Sequence, residues 1–434
     1  MIMNNVSPPA SIDTGASRRS FLATGPLLAA SLAVPALPAH AQSGSGVRWC
    51  GTWGAAPTGP PPSGSIQTYS NQTLRLIVRA SIGGSRVRIR VSNEMGSAPL
   101  RIGAASIALR SSGAAVTQGT LRELRFGGAT SVTIPARAPA ISDALDLVVP
   151  AQADLAISLY LSGSAQGTTL HNVALQSSYV STGGDYTSAV SMPVSRTLSS
   201  WPFLSAVDVN VAAPCLVALG DSITDGQGST GNANRRWPDY LARRLQASLG
   251  AAGRIGVVNR GISGNSLLTD YPNALLAGYA ALERFDRDVL ATSGARFLVA
   301  FIGINDICYS PGSNPIPAGD LIAGYRQLIS RAGARDITII GATLPPFEGF
   351  VYYTAARERV RRAVNDWMRA SGEFDALLDV EAALRDPARP TRVLPAYDSG
   401  DHLHPSDAGY QAIANAMPLA PFIAGGNVTA ERLS

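Results

Sequence analysis

The period of the hydrophobic pattern changes once along this chain, near residue 213, and that change limits the folds open to it. Before it, Arg86-Val87-Arg88-Ile89-Arg90-Val91 alternates strictly between Arg and apolar residues. A period of two places the apolar side chains on one face of a half-buried strand, as an antiparallel sheet requires. Thr73-Leu74-Arg75-Leu76-Ile77-Val78 lies just upstream, and Gly83-Gly84 stands between the two runs. A Gly pair in that place predicts a hairpin. Further strands are predicted at 104–109, 131–134, 145–149 and 155–161, with turn residues between them. Residues 47–209 therefore read as an all-β domain, a sandwich or jelly-roll-like module.

After residue 213, short apolar runs at 215–219, 255–258, 297–302 and 337–340 alternate with amphipathic helical patterns. The helices are predicted at 237–249, 279–290, 318–332 and 353–370. Fully apolar strands alternating with helices argue an α/β fold with a doubly wound parallel sheet over residues 213–422. Chemistry is then expected at the carboxyl ends of its strands. The stretch 200–212 is the expected boundary, and 423–434 form a C-terminal tail.

At the N-terminus, Ser17-Arg18-Arg19-Ser20-Phe21-Leu22 leads into a weakly apolar stretch and then Ala39-His40-Ala41. A charged pair, an apolar region and an A-x-A site make an export signal over residues 1–41. The adjacent Arg pair resembles a twin-arginine leader, read by the Tat translocase. Gly25, Pro26, Pro35 and Pro38 interrupt the segment, which is short for a bilayer span. No integral membrane segment is expected after cleavage, and the destination is periplasmic or extracellular. Of 434 residues, 46% are hydrophobic and 15% charged, which fits a soluble globular protein. The net charge of +5 is thin for this length, and the chain has no Lys, so every basic residue is Arg. No Arg run with interleaved aromatics appears, which argues against a nucleic-acid partner. Cys50, Cys215 and Cys308 are too few for a disulfide framework, although one pair could bridge in an oxidising compartment. Cys215, at the head of an apolar run, reads as a small buried hydrophobe.

Four blocks carry chemistry. Leu219-Gly220-Asp221-Ser222-Ile223-Thr224 follows the first apolar strand. A Ser entering a turn there can expose its Oγ and offer its own N–H to an anion, although Gly-Asp-Ser alone also reads as a capped turn. Asn259-Arg260-Gly261-Ile262-Ser263-Gly264-Asn265 follows the next strand, where a Gly lets backbone N–H groups approach a ligand. Gly303-Ile304-Asn305-Asp306 follows the most apolar strand; the Asn amide can donate to an oxyanion or cap a helix. Asp401-His402-Leu403-His404-Pro405 holds two of the chain's four His. His404 can take a Ser222 proton through one ring nitrogen while Asp401 holds the other. Pro405 is expected to start the closing helix. The H-x-H spacing also permits a metal, but no complementary Asp/Glu/His cluster stands elsewhere, so neither metal nor cofactor is expected. His171, in the β half, reads as structural.

Together these blocks resemble the SGNH (GDSL-type) hydrolases, with GDSIT, NRGISGN, GIND and DHLH as they stand here, over roughly residues 213–422. The resemblance implies a flavodoxin-like doubly wound sheet. It also implies Ser222 as nucleophile, His404 as base oriented by Asp401, and an oxyanion hole of the Ser222 N–H, Gly264 and Asn305. GDSIT departs from GDSL, as it does in the secreted branch of the family. The β half lies outside the family core and is similar in layout to esterases with a front β-sandwich, some of them carbohydrate deacetylases. The expected activity is a secreted serine ester hydrolase acting on carboxylic esters, short-acyl or carbohydrate-linked, with a small-molecule or glycan-linked ester as substrate. A lysophospholipase or lipase of the same fold is the alternative; a catalytically inactive glycan-binding protein is a further one. Tyr271, Tyr309 and Phe347 are candidates for lining the substrate pocket.

Overall fold

A computed structural model describes residues 48–270, 276–311 and 314–424. The expected leader over 1–41, Tyr271 and most of the C-terminal tail lie outside the described residues.

Five strands form one parallel sheet, in the spatial order Gly256–Gly261, Cys215–Gly220, Ala295–Phe301, Thr338–Ala342, Ala376–Leu378. Numbered along the chain this is 2-1-3-4-5, the flavodoxin-like order. Every residue of Cys215–Gly220 is buried, as a strand covered on both faces must be. The strand order reverses direction around Cys215–Gly220, so the ends of that strand and of Ala295–Phe301 flank the crevice where such sheets bind ligands. Helix Trp237–Leu249 has the predicted bounds, with Asp239 accepting from the Arg236 N–H at 3.1 Å at its start. The predicted helix at 279–290 is instead a short α-helix, Ala281–Phe285, running into a π-helical turn, Asp286–Leu290. Strand Ala376–Leu378 has only three residues, too few for a pattern to reveal.

The N-terminal region is β-rich. One antiparallel sheet joins Trp49–Gly54, Leu204–Asn210, Gly84–Ser92 and Leu145–Val149 in that order, with Pro139–Ile141 also paired to Gly84–Ser92. A second is built on Thr68–Arg79 and Asp154–Gln166, flanked by Ser178–Gly183 and Ala104–Ser112. The alternation of 86–91 is kept: Val87, Ile89 and Val91 are buried. The intervening Arg side chains reach the α/β half, Arg88 to Ser293 Oγ at 3.1 Å and Arg90 to Ala291 O at 3.1 Å. The expected hairpin at Gly83-Gly84 does not form, because Thr68–Arg79 and Gly84–Ser92 belong to different sheets. Gly83 is needed for close approach rather than for a turn, since a Cβ there would stand 2.5 Å from Val149 O.

One continuous apolar core runs from the β region into the parallel sheet, from Trp53 and Val207 to Val217 and Leu298. Strand Trp49–Gly54 lies against Gly256–Gly261 so closely that a Cβ on Gly256 would meet Gly51 O at 2.2 Å. Cys50 and Cys215 sit at this contact, and with Cys308 they are free and buried. Among the described residues no helix is long and apolar enough to cross a membrane.

Candidate active site

Strand Cys215–Gly220 ends in a one-turn helix, Ser222–Asp225, capped by Asp221, whose Oδ1 accepts the Ile223 N–H at 3.0 Å. The cap turns the chain at once, so Ser222 stands at the carboxyl end of the strand and only 4% of it is exposed. Its Oγ lies 2.8 Å from His404 Nε2. The other ring nitrogen, Nδ1, lies 2.5 Å from Asp401 Oδ2. A carboxylate accepts only, so Nδ1 carries the proton and Nε2 is left with a lone pair facing the Ser222 hydroxyl.

Asp401 is itself held in place: its Oδ1 accepts the N–H groups of Leu403 at 3.0 Å and His404 at 2.8 Å. Burial alone would raise its pKa, but the His404 ring and these N–H donors bring it down to about 2. The closing helix is Asp407–Ala416, with Ser406 as its cap. It starts two residues later than expected, because Ser406 supplies a cap oxygen to the Gly409 N–H while Pro405 can only precede it. His402 takes no part in this chain. Its Nδ1 binds Asp398 Oδ2 at 2.6 Å, and its backbone is left-handed, with φ of 68°.

The other two blocks meet at the same sheet edge. Gly264 has φ of 81°, a conformation that suits a residue without Cβ. Asn305, in the short helix Ile304–Cys308, donates from Nδ2 to Asn265 O at 2.8 Å, which ties the third block to the second. Asp306 reinforces that tie by accepting from the Leu267 and Leu268 N–H groups at 2.8 and 3.0 Å. Burial pushes the Asp306 carboxyl up to about 6 and Asp221 to about 7.

Arg284 anchors these loops from below and was not singled out from the sequence. It is fully buried and donates to Gly220 O at 2.9 Å, to Arg260 O at 2.7 Å and to Asn265 Oδ1 at 2.9 Å. Its charge is met by Asp288 at 3.0 Å. A signal existed: Ala281, Arg284, Phe285, Asp288 and Val289 recur at helical spacing on one buried stripe, so the two charges stand four apart where apolar residues are expected. Of the candidate lining residues, Phe347 is fully buried against Tyr353. Phe350 instead stands edge-on to the His404 ring, with centroids 6.4 Å apart, followed by Tyr352 and Tyr309 in edge-to-face contacts.

Residues 218–412 match the GDSL-like Lipase/Acylhydrolase family. The α/β half is a GDSL-like lipase/acylhydrolase domain. This GDSL-like domain is that of a hydrolase of ester bonds. Among solved structures the chain is similar to an acetyl xylan esterase from Geobacillus stearothermophilus, at 26% identity over 48% of this chain and 94% of that one, with a TM-score of 0.36. It is also similar to an α/β hydrolase enzyme from the metagenome of Lake Arreo, at 26% identity over 51% and 99%, TM-score 0.36. A GDSL-like lipase from Bacteroides thetaiotaomicron shares 19% identity over 49% and 93%, TM-score 0.35. A comparison with curated protein sequences finds no match.

Proposed function

We propose that the protein is an exported carboxylic ester hydrolase that works through an acyl-enzyme on Ser222. The observation that carries this reading is the unbroken chain from Ser222 Oγ through His404 to Asp401, with links of 2.8 and 2.5 Å. His404 Nε2 takes the hydroxyl proton as Oγ bonds to the ester carbonyl carbon, and Asp401 stabilises the imidazolium that results. The negative charge on the carbonyl oxygen is received by the Ser222 N–H, Gly264 and the Asn305 amide. As the C–O bond to the alcohol breaks, His404 returns the proton to the leaving oxygen. Water then attacks the acyl group, gives its proton to His404, and Ser222 leaves with it.

Loss of one oxyanion donor costs on the order of 10²–10³ in turnover. Asn305→Ala is therefore expected to lower kcat by that amount, as read on p-nitrophenyl acetate. It also severs the bond to Asn265 O, so the measurement is paired with a Tm to show that the fold survives.

The substrate is proposed to be a short-acyl ester, with a carbohydrate as the alcohol. Tyr352 and Tyr309, which continue the row of rings from Phe350 beside His404, carry apolar rings with hydroxyl tips, which suit an amphipathic alcohol such as a sugar. The two antiparallel sheets are read as a sandwich-like module at the front of the enzyme. A lipid substrate is favoured by a different observation: Val351 is 81% exposed and Tyr352 40%, an apolar edge next to the site. A series of p-nitrophenyl esters of increasing acyl length decides between them. A maximum of kcat/KM at acetyl is expected; a maximum at eight carbons or beyond sinks the short-acyl reading in favour of the lipase one.

A further inference from the structure

Among the described residues, His171 and Asp225 are the one His–Asp pair buried on both sides that the proposed chemistry does not use, with side chains 3% and 4% exposed. They come from different parts of the chain. His171 lies in the short strand Leu170–His171 of the β region, paired with Trp201–Pro202. Asp225 is the last residue of the one-turn helix that begins with Ser222. His171 Nε2 lies 2.9 Å from Asp225 Oδ1, and Nδ1 lies 2.8 Å from Ala56 O. A carbonyl and a carboxylate both accept only, so each ring nitrogen must donate and the ring is an imidazolium. Burial opposes that charge, while the Asp225 carboxylate and the Ala56 carbonyl raise the His171 pKa and sustain it.

The second Asp225 oxygen faces the oxyanion loop. Oδ2 accepts from Ser263 N at 2.9 Å and from Ser263 Oγ at 2.8 Å, and Ser263 is the residue before Gly264. Asp225 thus joins the Ser222 helix to the loop that carries Gly264, and the cation of the β region fixes the carboxylate that does so. The packing leaves no slack, since a Cβ on Gly261 would meet Asp225 N at 2.3 Å. Trp201 lies beside the His171 ring at 5.5 Å and is anchored through its indole N–H to Ile77 O at 2.9 Å. From the β region the ring is held by Ala56 O and by Trp201 beside it, so its contact with Asp225 is the link into the α/β half. An oxyanion donor works only within a few tenths of an ångström of its place, and a misplacement of about 1 Å can cost on the order of 10² in rate.

We propose that His171 is a positioning residue of the ester hydrolase: acting from the β region through Asp225 and Ser263, it sets the place of the Gly264 donor. The inference rests on the reading of Ser222 as nucleophile. On this account the β region completes the active site rather than merely preceding it.

The test is steady-state kinetics on p-nitrophenyl acetate for His171→Phe, Ser263→Ala and the double variant. Rates are divided by the fraction of protein that a fluorophosphonate labels to completion, so that misfolded material does not count. The expected result for His171→Phe is about a tenfold fall in kcat per labelled site with KM within about twofold, because a displaced donor weakens the transition state more than the bound ester. Ser263→Ala should fall several-fold, and the double variant no further than His171→Phe, since both act on one link. A labelled His171→Phe protein with the parent kcat and only a lower Tm overturns the proposal and leaves the His as a strut. Should His171→Phe not fold, Ser263→Ala decides alone. It removes one hydroxyl from a half-buried position, and an unchanged kcat per site overturns the proposal. An unaltered protein that hydrolyses the ester yet takes no label overturns the Ser222 reading and this one with it.

Discussion

Ser222→Ala is expected to lower kcat on p-nitrophenyl acetate by on the order of 10⁶, with Tm within a few degrees of the parent. The size follows from the loss of the covalent route itself. Without Oγ there is no acyl-enzyme, and what remains is the weak catalysis of an oxyanion site that still polarises the ester. The small effect on stability follows from the place of the residue. The Asp221 cap bonds to the Ile223 N–H and does not use the Ser222 side chain. His404 stays tied to Asp401 through its other nitrogen. One hydrogen bond of ordinary strength is lost, worth about 1 kcal/mol. Rates and a melting curve on the same preparation check both halves of the expectation.

Asp401→Asn is expected to cost on the order of 10⁴ in kcat while the fold persists. The geometry gives the reason. Asp401 Oδ1 accepts two backbone N–H groups, so an Asn at this position keeps its carbonyl oxygen there and turns its amide nitrogen toward His404 Nδ1. That nitrogen must then accept rather than donate, and the proton moves to Nε2, where it faces Ser222 and blocks general-base catalysis. A pH effect on stability accompanies this. The folded-state pKa of Asp401 is about 2, below the ordinary 3.8, so its stabilising contribution is complete above about pH 4 and is lost as pH falls toward 2. The variant lacks that contribution at every pH. The gap in Tm between parent and variant should therefore narrow between pH 4 and pH 2, as read by calorimetry.

Much of the α/β half was legible because its signals are local. The strands at 215–219 and 297–302 were visible as apolar runs, and helix Trp237–Leu249 as an amphipathic helical pattern. The four blocks were legible as chemistry only in combination: three stand directly after parallel strands, and the Asp401–His404 block lies beyond the last one, after a helix and a short antiparallel pair. What the sequence hid was set by distant partners. Gly83-Gly84 has hairpin composition, but the strands beside it find partners more than forty residues away, in different sheets. The helix at 279–290 opens into a π turn beyond Arg284, whose buried bonds to Gly220 O and Arg260 O reach strand ends distant in sequence. His171 read as structural because its partner Asp225 is supplied by the other half of the chain.

The proposed reaction turns on one covalent event at one atom, Ser222 Oγ. Incubation with a fluorophosphonate, digestion and mass spectrometry of the peptides measures it directly. A single phosphonylated residue, Ser222, is expected, with ester hydrolysis lost in step with labelling and no adduct on the Ser222→Ala protein. Undiminished hydrolysis by protein in which Ser222 is unmodified, or a label on another residue that tracks the loss of activity, would contradict it.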